Sequence, residues 1–158
     1  MPQICGAFDL PVVAAGGIAD GISMAAAFAL GAEGVQMGTR MVSAAESPVH
    51  DTYKQLIRDA DATDTVVLSA HSSPALRVMR TIFSEKLERE PSVVMGQTVG
   101  MEGVLRLYFQ GDLNAGFAFG GQVAGRVDEI LPVEQIVYET VGGFYDVVSA
   151  LNRYLPPA

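Results

Sequence analysis

The stretch Val12-Val13-Ala14-Ala15-Gly16-Gly17-Ile18-Ala19-Asp20-Gly21 (VVAAGGIADG) decides the fold. Its first half is apolar at every position, the pattern of a parallel strand covered on both faces, and Pro11 leads into it, so a strand is predicted over Leu10–Ala15. Ile22, Ala25, Ala26, Ala29 and Leu30 then recur at helical spacing, and Gly31 is placed to end that helix. Gly34-Val35-Gln36-Met37 reads as a second short strand, followed at once by Gly38-Thr39-Arg40. Strand, helix and strand in this order predict a parallel β–α–β unit with a right-handed crossover, and hence an α/β fold.

The glycine pair raises a chemical question. Glycine lets the backbone approach a ligand with no Cβ in the way. A strand that ends there before a helix also aims free N–H groups, and the positive end of the helix dipole, at an anion. A second device of the same kind, Gly38-Thr39, closes the next strand and adds a hydroxyl donor. Parallel neighbours would set both devices at the carboxyl edge of the sheet, where α/β proteins bind ligands. Two readings remain open on these residues: a phosphate site, or two tight strand-to-helix turns with no ligand.

Further along, Glu46–Asp59 is predicted as a helix with Ser47 as N-cap and Pro48 in its first turn. Asp61–Asp64 is a polar break and Thr65–Ser69 a short strand. Pro74–Glu88 is predicted helical, with Leu76, Met79, Phe83 and Leu87 on one face, and Gly96–Phe109 as another helix. Gln110–Gly121 is a glycine-rich loop. In the last helix Val137, Val141, Phe144, Val148, Leu151 and Leu155 form one apolar stripe, interrupted by Gly142-Gly143.

Composition narrows the function classes. The 158 residues suit one ordinary domain, and 49% hydrophobic content supports a core. A net charge of −8 excludes a nucleic-acid backbone as main partner, since such binding needs clustered Lys and Arg. One cysteine, Cys5, allows no intrachain disulfide, so a reducing cytoplasm is the expected compartment. No apolar run approaches the ~20 residues of a membrane span, so no membrane association is expected.

VVAAGGIADG, then Ala29-Leu30-Gly31-Ala32-Glu33-Gly34-Val35-Gln36-Met37-Gly38-Thr39-Arg40, then Ser47-Pro48-Val49-His50-Asp51-Thr52-Tyr53-Lys54, resembles the nitronate monooxygenase family, formerly called 2-nitropropane dioxygenase. FMN-dependent enoyl-ACP reductases are its close relatives. The resemblance is strong over 10–60 and weaker over 74–83 and from Gly120-Gly121-Gln122 onward. It implies a (β/α)₈ barrel that binds FMN, with an added helical domain, and it implies FMN contacts for Gly17, Gln36, Met37, Gly38 and Thr39, with Gly16 joining them. Val12–Ala15 would be strand 7 and Val35–Met37 strand 8, the strands after which such barrels hold phosphate. On this resemblance the chain is expected to be the C-terminal part of such an enzyme: residues 1–60 the last β/α units, 61–131 a mostly helical domain, and 132–158 a C-terminal helix packing back on the barrel.

The other chemistry-bearing residues are expected to be structural. The family's general-base histidine belongs to a segment with no counterpart here, so no catalytic residue is assigned. His50 reads as a surface residue, His71 as loop-bound, and Cys5 has no histidine partner near it in sequence. Asp20 reads as a helix cap. Arg40 would balance a phosphate or pair with Glu46 or Asp51, and Glu85, Glu88 and Glu90 form a solvated face rather than a metal cluster. Gly120–Gly125 is no P-loop, because no Lys-Ser/Thr follows. Three functions stay open: an FMN-dependent nitronate monooxygenase acting on a small nitronate and O₂, an FMN-dependent enoyl-ACP reductase using NAD(P)H, and a non-catalytic flavin- or phosphate-binding remnant. Inosine-monophosphate dehydrogenase-like barrels rank below these, since Cys5 lies in no matching motif. The chain alone is expected to be inactive and to self-associate through unpaired strand edges.

Overall fold

The computed structural model describes residues 1–69, 75–89 and 100–156. They fall into two compact units, one formed by residues 1–38 and 131–158 and the other by residues 39–130.

The first unit contains the β–α–β motif. A short helix α1 (Pro2–Cys5) precedes strand β1 (Val13–Ala15), helix α2 (Gly21–Ala29) and strand β2 (Gly34–Gln36). The two strands are parallel, in the register Val13↔Gly34, Ala14↔Val35 and Ala15↔Gln36. Only Ala14 of β1 is buried; Val13 stays 57% exposed, so β1 is not covered on both faces as its composition predicts. α2 covers the side on which Ala14 packs, and Val13 is left on the other. The small core behind it joins Ala14, Ile18, Ala27 and Ala32, with Val35 and Met37 packed alongside.

Asp20 and Ser23 start α2 with a reciprocal cap. Asp20 Oδ1 accepts from the Ser23 amide at 2.8 Å, and Ser23 Oγ accepts from the Ala19 and Asp20 amides at 3.1 Å each. The long C-terminal helix, Val133–Leu151, packs against α2 with its backbone in contact at Gly21 and Gly143. Phe28 and Phe144 meet across the same contact, tilted at 53° with ring centroids 5.4 Å apart.

This corrects the expected apolar stripe. Ile136 and Thr140 are the buried residues of the helix, while Val137, Val141, Val148 and Leu151 stay exposed. Gly143 and Phe144 face α2, since at Gly143 the two backbones can come so close, and Val137, Val141, Val148 and Leu151 are turned away.

The second unit comprises α3 (Thr39–Val42), α4 (Asp51–Arg58), strands β3 (Thr65–Leu68) and β4 (Leu76–Met79), α5 (Ile82–Arg89), α6 (Met101–Gln110) and a 3₁₀ turn at Gln122–Arg126. Its core gathers Tyr53, Ile57, Met79, Leu107, Ala118, Ala124 and Val127.

Two expectations fail here. Pro74–Glu88 is not one helix: residues 76–79 form β4, antiparallel to β3, and only 82–89 are helical. Leu76, Met79, Phe83 and Leu87 fit helical spacing, but the β3 run Thr65-Val66-Val67-Leu68 supplies a ladder that an isolated helix cannot match. The N-cap of α4 is His50, not Ser47; its Nδ1 accepts from the Thr52 amide at 3.2 Å. The positions 96–99 of the next predicted helix, and His71 and Glu90, lie outside the described residues.

Candidate functional site

The parallel register sets Gly16-Gly17 and Gly38 beyond the same carboxyl edge of the β1–β2 pair, since Ala15 lies opposite Gln36 and each strand ends there. Gly16 and Gly17 have φ of +97° and +76°, which side-chain-bearing residues rarely adopt. A Cβ built on Gly16, Gly17 or Gly38 would meet nothing within 4 Å, so the backbone at all three is open to a ligand. Gly16, Gly17, Gln36 and Gly38 are exposed, and Met37 is half-buried. Met37 Sδ receives a 3.9 Å contact from the Thr140 hydroxyl, and Gln36 Nε2 donates to the Met37 carbonyl at 3.2 Å.

One part of the anticipated chemistry is altered. The positive end of α2 is already met by its own Asp20 carboxylate, which confirms Asp20 as a cap. An anion at the glycine edge would therefore be held by peptide N–H groups of the turns, with the helix dipole largely answered by Asp20.

Thr39 is the first residue of the second unit and opens α3. Its Oγ1 accepts from the Gly121 amide at 3.0 Å. Arg40 is buried, and its Nη1 donates to the Glu129 carbonyl at 2.6 Å. Asp51 faces Lys54 at 3.6 Å. Glu85 and Glu88 lie 3.9 Å and 3.1 Å from Arg80, the ion pairs of a solvated face.

His50 is exposed, and its ring covers Gly111: a Cβ there would fall 2.3 Å from His50 Nδ1. Its work as cap and packing surface is structural. Cys5 is half-buried against Gly31.

Sequence reasoning passed over Tyr53 and the Phe119–Gly121 loop. Tyr53 is fully buried, and its hydroxyl donates to the Phe119 carbonyl at 2.7 Å. Burial first, then the adjoining Tyr108, pushes its phenol well above the ordinary tyrosine range, so it stays a neutral donor. The sole local hint was the Gly-Gly-Gln run; its link to Thr39 spans 82 positions, beyond any motif window.

Comparison with known proteins gives the family. The model of the family described as "NMO: Nitronate monooxygenase" matches residues 1–143. The chain belongs to the nitronate monooxygenase family. A probable nitronate monooxygenase of Staphylococcus saprophyticus is 41% identical over 87 residues, 55% of this chain and 24% of the relative. Among solved structures, FabK from Thermotoga maritima superimposes with a TM-score of 0.87 at 44% identity, covering 98% of this chain and 50% of that one. The nitroalkane oxidase from Streptomyces ansochromogenes gives a TM-score of 0.76 at 26% identity, covering 95% of this chain and 44% of its own. The match thus spans about a quarter of that family member, and the chain about half of the FabK chain. Among the described residues, no helix is long and apolar enough to cross a membrane.

Proposed function

We propose that this chain carries the FMN-phosphate end of a nitronate monooxygenase. In this reading β1 and β2 are the last two strands of a (β/α)₈ barrel. Residues 1–60 are its final β/α units, 61–131 an added mostly helical domain, and 132–158 the helix that returns to the barrel. Gly16, Gly17, Gln36, Met37, Gly38 and Thr39 would hold the cofactor. What supports the reading most is the parallel register that sets two open, exposed glycine turns at one sheet edge.

The residues fit a phosphate. Gly16 and Gly17 hold a turn that bare peptide can offer without a Cβ in the way, and Gly38, after the neighbouring strand, has the same open space at its Cβ position. Thr39 follows with a hydroxyl whose oxygen is already engaged by Gly121, leaving its proton to donate. When bound, FMN supplies the redox chemistry between a small nitronate and O₂. The residues of this chain bind and orient it; none is assigned a proton-transfer role.

A second reading, an FMN-dependent enoyl-ACP reductase drawing on NAD(P)H, is favoured by one observation. Identity to FabK is 44% over nearly the whole chain, against 26% to nitroalkane oxidase. Titrating the ¹⁵N-labelled chain with FMN tests what both readings share. The amides of Gly17 and Gly38 should shift together; if neither moves at millimolar FMN, the phosphate reading fails. Oxygen uptake with a nitronate, against NAD(P)H oxidation with an enoyl thioester, then separates the two in the protein that carries this chain.

A further inference from the structure

Thr39 is held by a relay that begins at a residue remote from it in sequence. Within the second unit, Met79 N donates to the Ala118 carbonyl at 2.7 Å, and Val78 bridges Phe119. Gly120 is pressed on Met79 so closely that a Cβ would fall 2.3 Å from its Sδ. The loop is thus pinned at three successive residues before it reaches Gly121, whose amide donates to Thr39 Oγ1 at 3.0 Å. Beyond it, the Ala124 amide closes on the Gly121 carbonyl at 2.9 Å.

Tyr53 completes the clamp. Its ring is buried edge-on to Tyr108, with centroids 5.2 Å apart, so its hydroxyl is delivered to the Phe119 carbonyl by a fixed scaffold. We propose that Tyr53 is a positioning residue for anion binding: by holding Phe119 it fixes the Gly121 amide on Thr39 Oγ1, and so turns the Thr39 hydroxyl proton outward as a donor to a phosphate oxygen.

The chemistry is that of a hydroxyl with one proton and two lone pairs. An amide donating into a lone pair forbids the proton from lying there, so the Thr39 O–H must point elsewhere. A phosphate needs donors, and a pre-oriented one costs less ordering on binding. Phenylalanine at position 53 would fill the same space but release the Phe119 carbonyl. The loop would keep its pins on Val78 and Met79 but lose the hold on the Phe119 carbonyl, and the Gly121 amide two residues on would be fixed less firmly. This inference rests on the phosphate reading of Thr39.

The test uses the whole chain, ¹⁵N-labelled and titrated with FMN and separately with inorganic phosphate. Thr39→Val should weaken FMN binding about tenfold, the loss of one hydrogen bond to a charged group. Tyr53→Phe should weaken it several-fold, speed exchange of the Gly121 amide, and add nothing in the Thr39→Val background. That non-additivity is the readout that general destabilisation would not give. Unchanged FMN binding in Tyr53→Phe, or an effect that simply adds to that of Thr39→Val, overturns the inference while leaving the phosphate reading intact. If Thr39→Val binds FMN normally, or the unsubstituted chain responds to neither probe, the phosphate reading falls and this inference with it. Should Tyr53→Phe not fold, the unsubstituted chain still decides: saturating FMN must increase protection of the Gly121 amide, and unchanged protection refutes the relay.

Discussion

Replacing Gly21 with alanine should loosen the contact between α2 and the C-terminal helix, and the size of the effect can be worked out. The new Cβ would fall 2.2 Å from Phe144 N, 2.3 Å from Gly143 C and 2.6 Å from Gly143 Cα. All three are backbone atoms, so no side chain can rotate away. Ordinary carbon contacts sit at about 3.5–4.0 Å, so the helices must separate by roughly 1 Å and forfeit part of the dispersion along their seam. Overpacking of this kind costs about 1–3 kcal/mol, and an obstruction by backbone belongs at the upper end. That outweighs what the better helix propensity of alanine contributes.

Gly142 is the internal control. It sits in the same seam helix, yet nothing lies within 4 Å of a Cβ built there. Gly142→Ala should therefore stabilise by about 0.5–1 kcal/mol, the ordinary helix penalty of glycine removed. Two glycines of the same helix pair, one in the contact and one outside it, thus give opposite signs. Circular-dichroism melts of the dilute chain should show Gly142→Ala higher by about 2–4 °C and Gly21→Ala lower by at least that much. A Gly21→Ala protein that melts with the unsubstituted one would refute backbone-to-backbone packing of these helices.

Gly17→Val should abolish the FMN-induced amide shifts, because φ of +76° strains a β-branched residue and its side chain would occupy the ligand's space; normal shifts would count against the site. His50→Ala should cost about 1 kcal/mol of stability through the lost cap on α4 and leave FMN binding unchanged, as measured by urea midpoints and titration; weakened FMN binding would reassign His50 to the site. Because burial raises the Tyr53 phenol above its ordinary value of 10.0, the unfolded chain ionises first: the stability it contributes is intact below pH 10 and is lost as pH rises beyond it. Urea midpoints between pH 8 and 11 should fall for the unsubstituted chain and fall less for Tyr53→Phe. Expressed alone, the chain should bind FMN weakly, show no steady oxidation of nitronate or NAD(P)H, and self-associate through the exposed β1 flank at Val13; a monomer with stoichiometric FMN and turnover would require another account of Val12–Thr39.

The β–α–β unit was legible because its signals are local. Apolar runs, the Gly-Gly pair and Asp20 three residues before Ser23 each announce their own geometry within a few positions. Leu76–Met79 was not legible, since its apolar residues satisfy a helical period as well as a strand, and the deciding partner is Thr65–Leu68. The C-terminal helix was legible as a helix but not in its orientation. Hydrophobicity favoured the valine stripe, whereas Gly21 and Gly143 made the smaller face the one that α2 could approach. His50 as a cap was hidden for a related reason: Ser47 is the commoner capping residue, and the choice was made by the chain arriving at Tyr108, whose carbonyl accepts from the His50 amide at 2.6 Å.

The two ends of the chain build one unit, and the consequence is temporal. Residues 39–130 are continuous in sequence and can collapse as soon as they are made. Gly21 must wait for Gly143 to be synthesised before its helix can dock, an interval of roughly 6–24 s at ribosomal speeds of about 5–20 residues per second. Throughout it the β1 strand and the apolar side of α2 are present without their covering helix. Docking then has to close a long loop, which is slow for contacts so distant along the chain, though an already folded insert shortens the effective span. The vulnerable period of the α2 face is therefore translation itself, and a chaperone that covers it would act before the helix Val133–Leu151 exists.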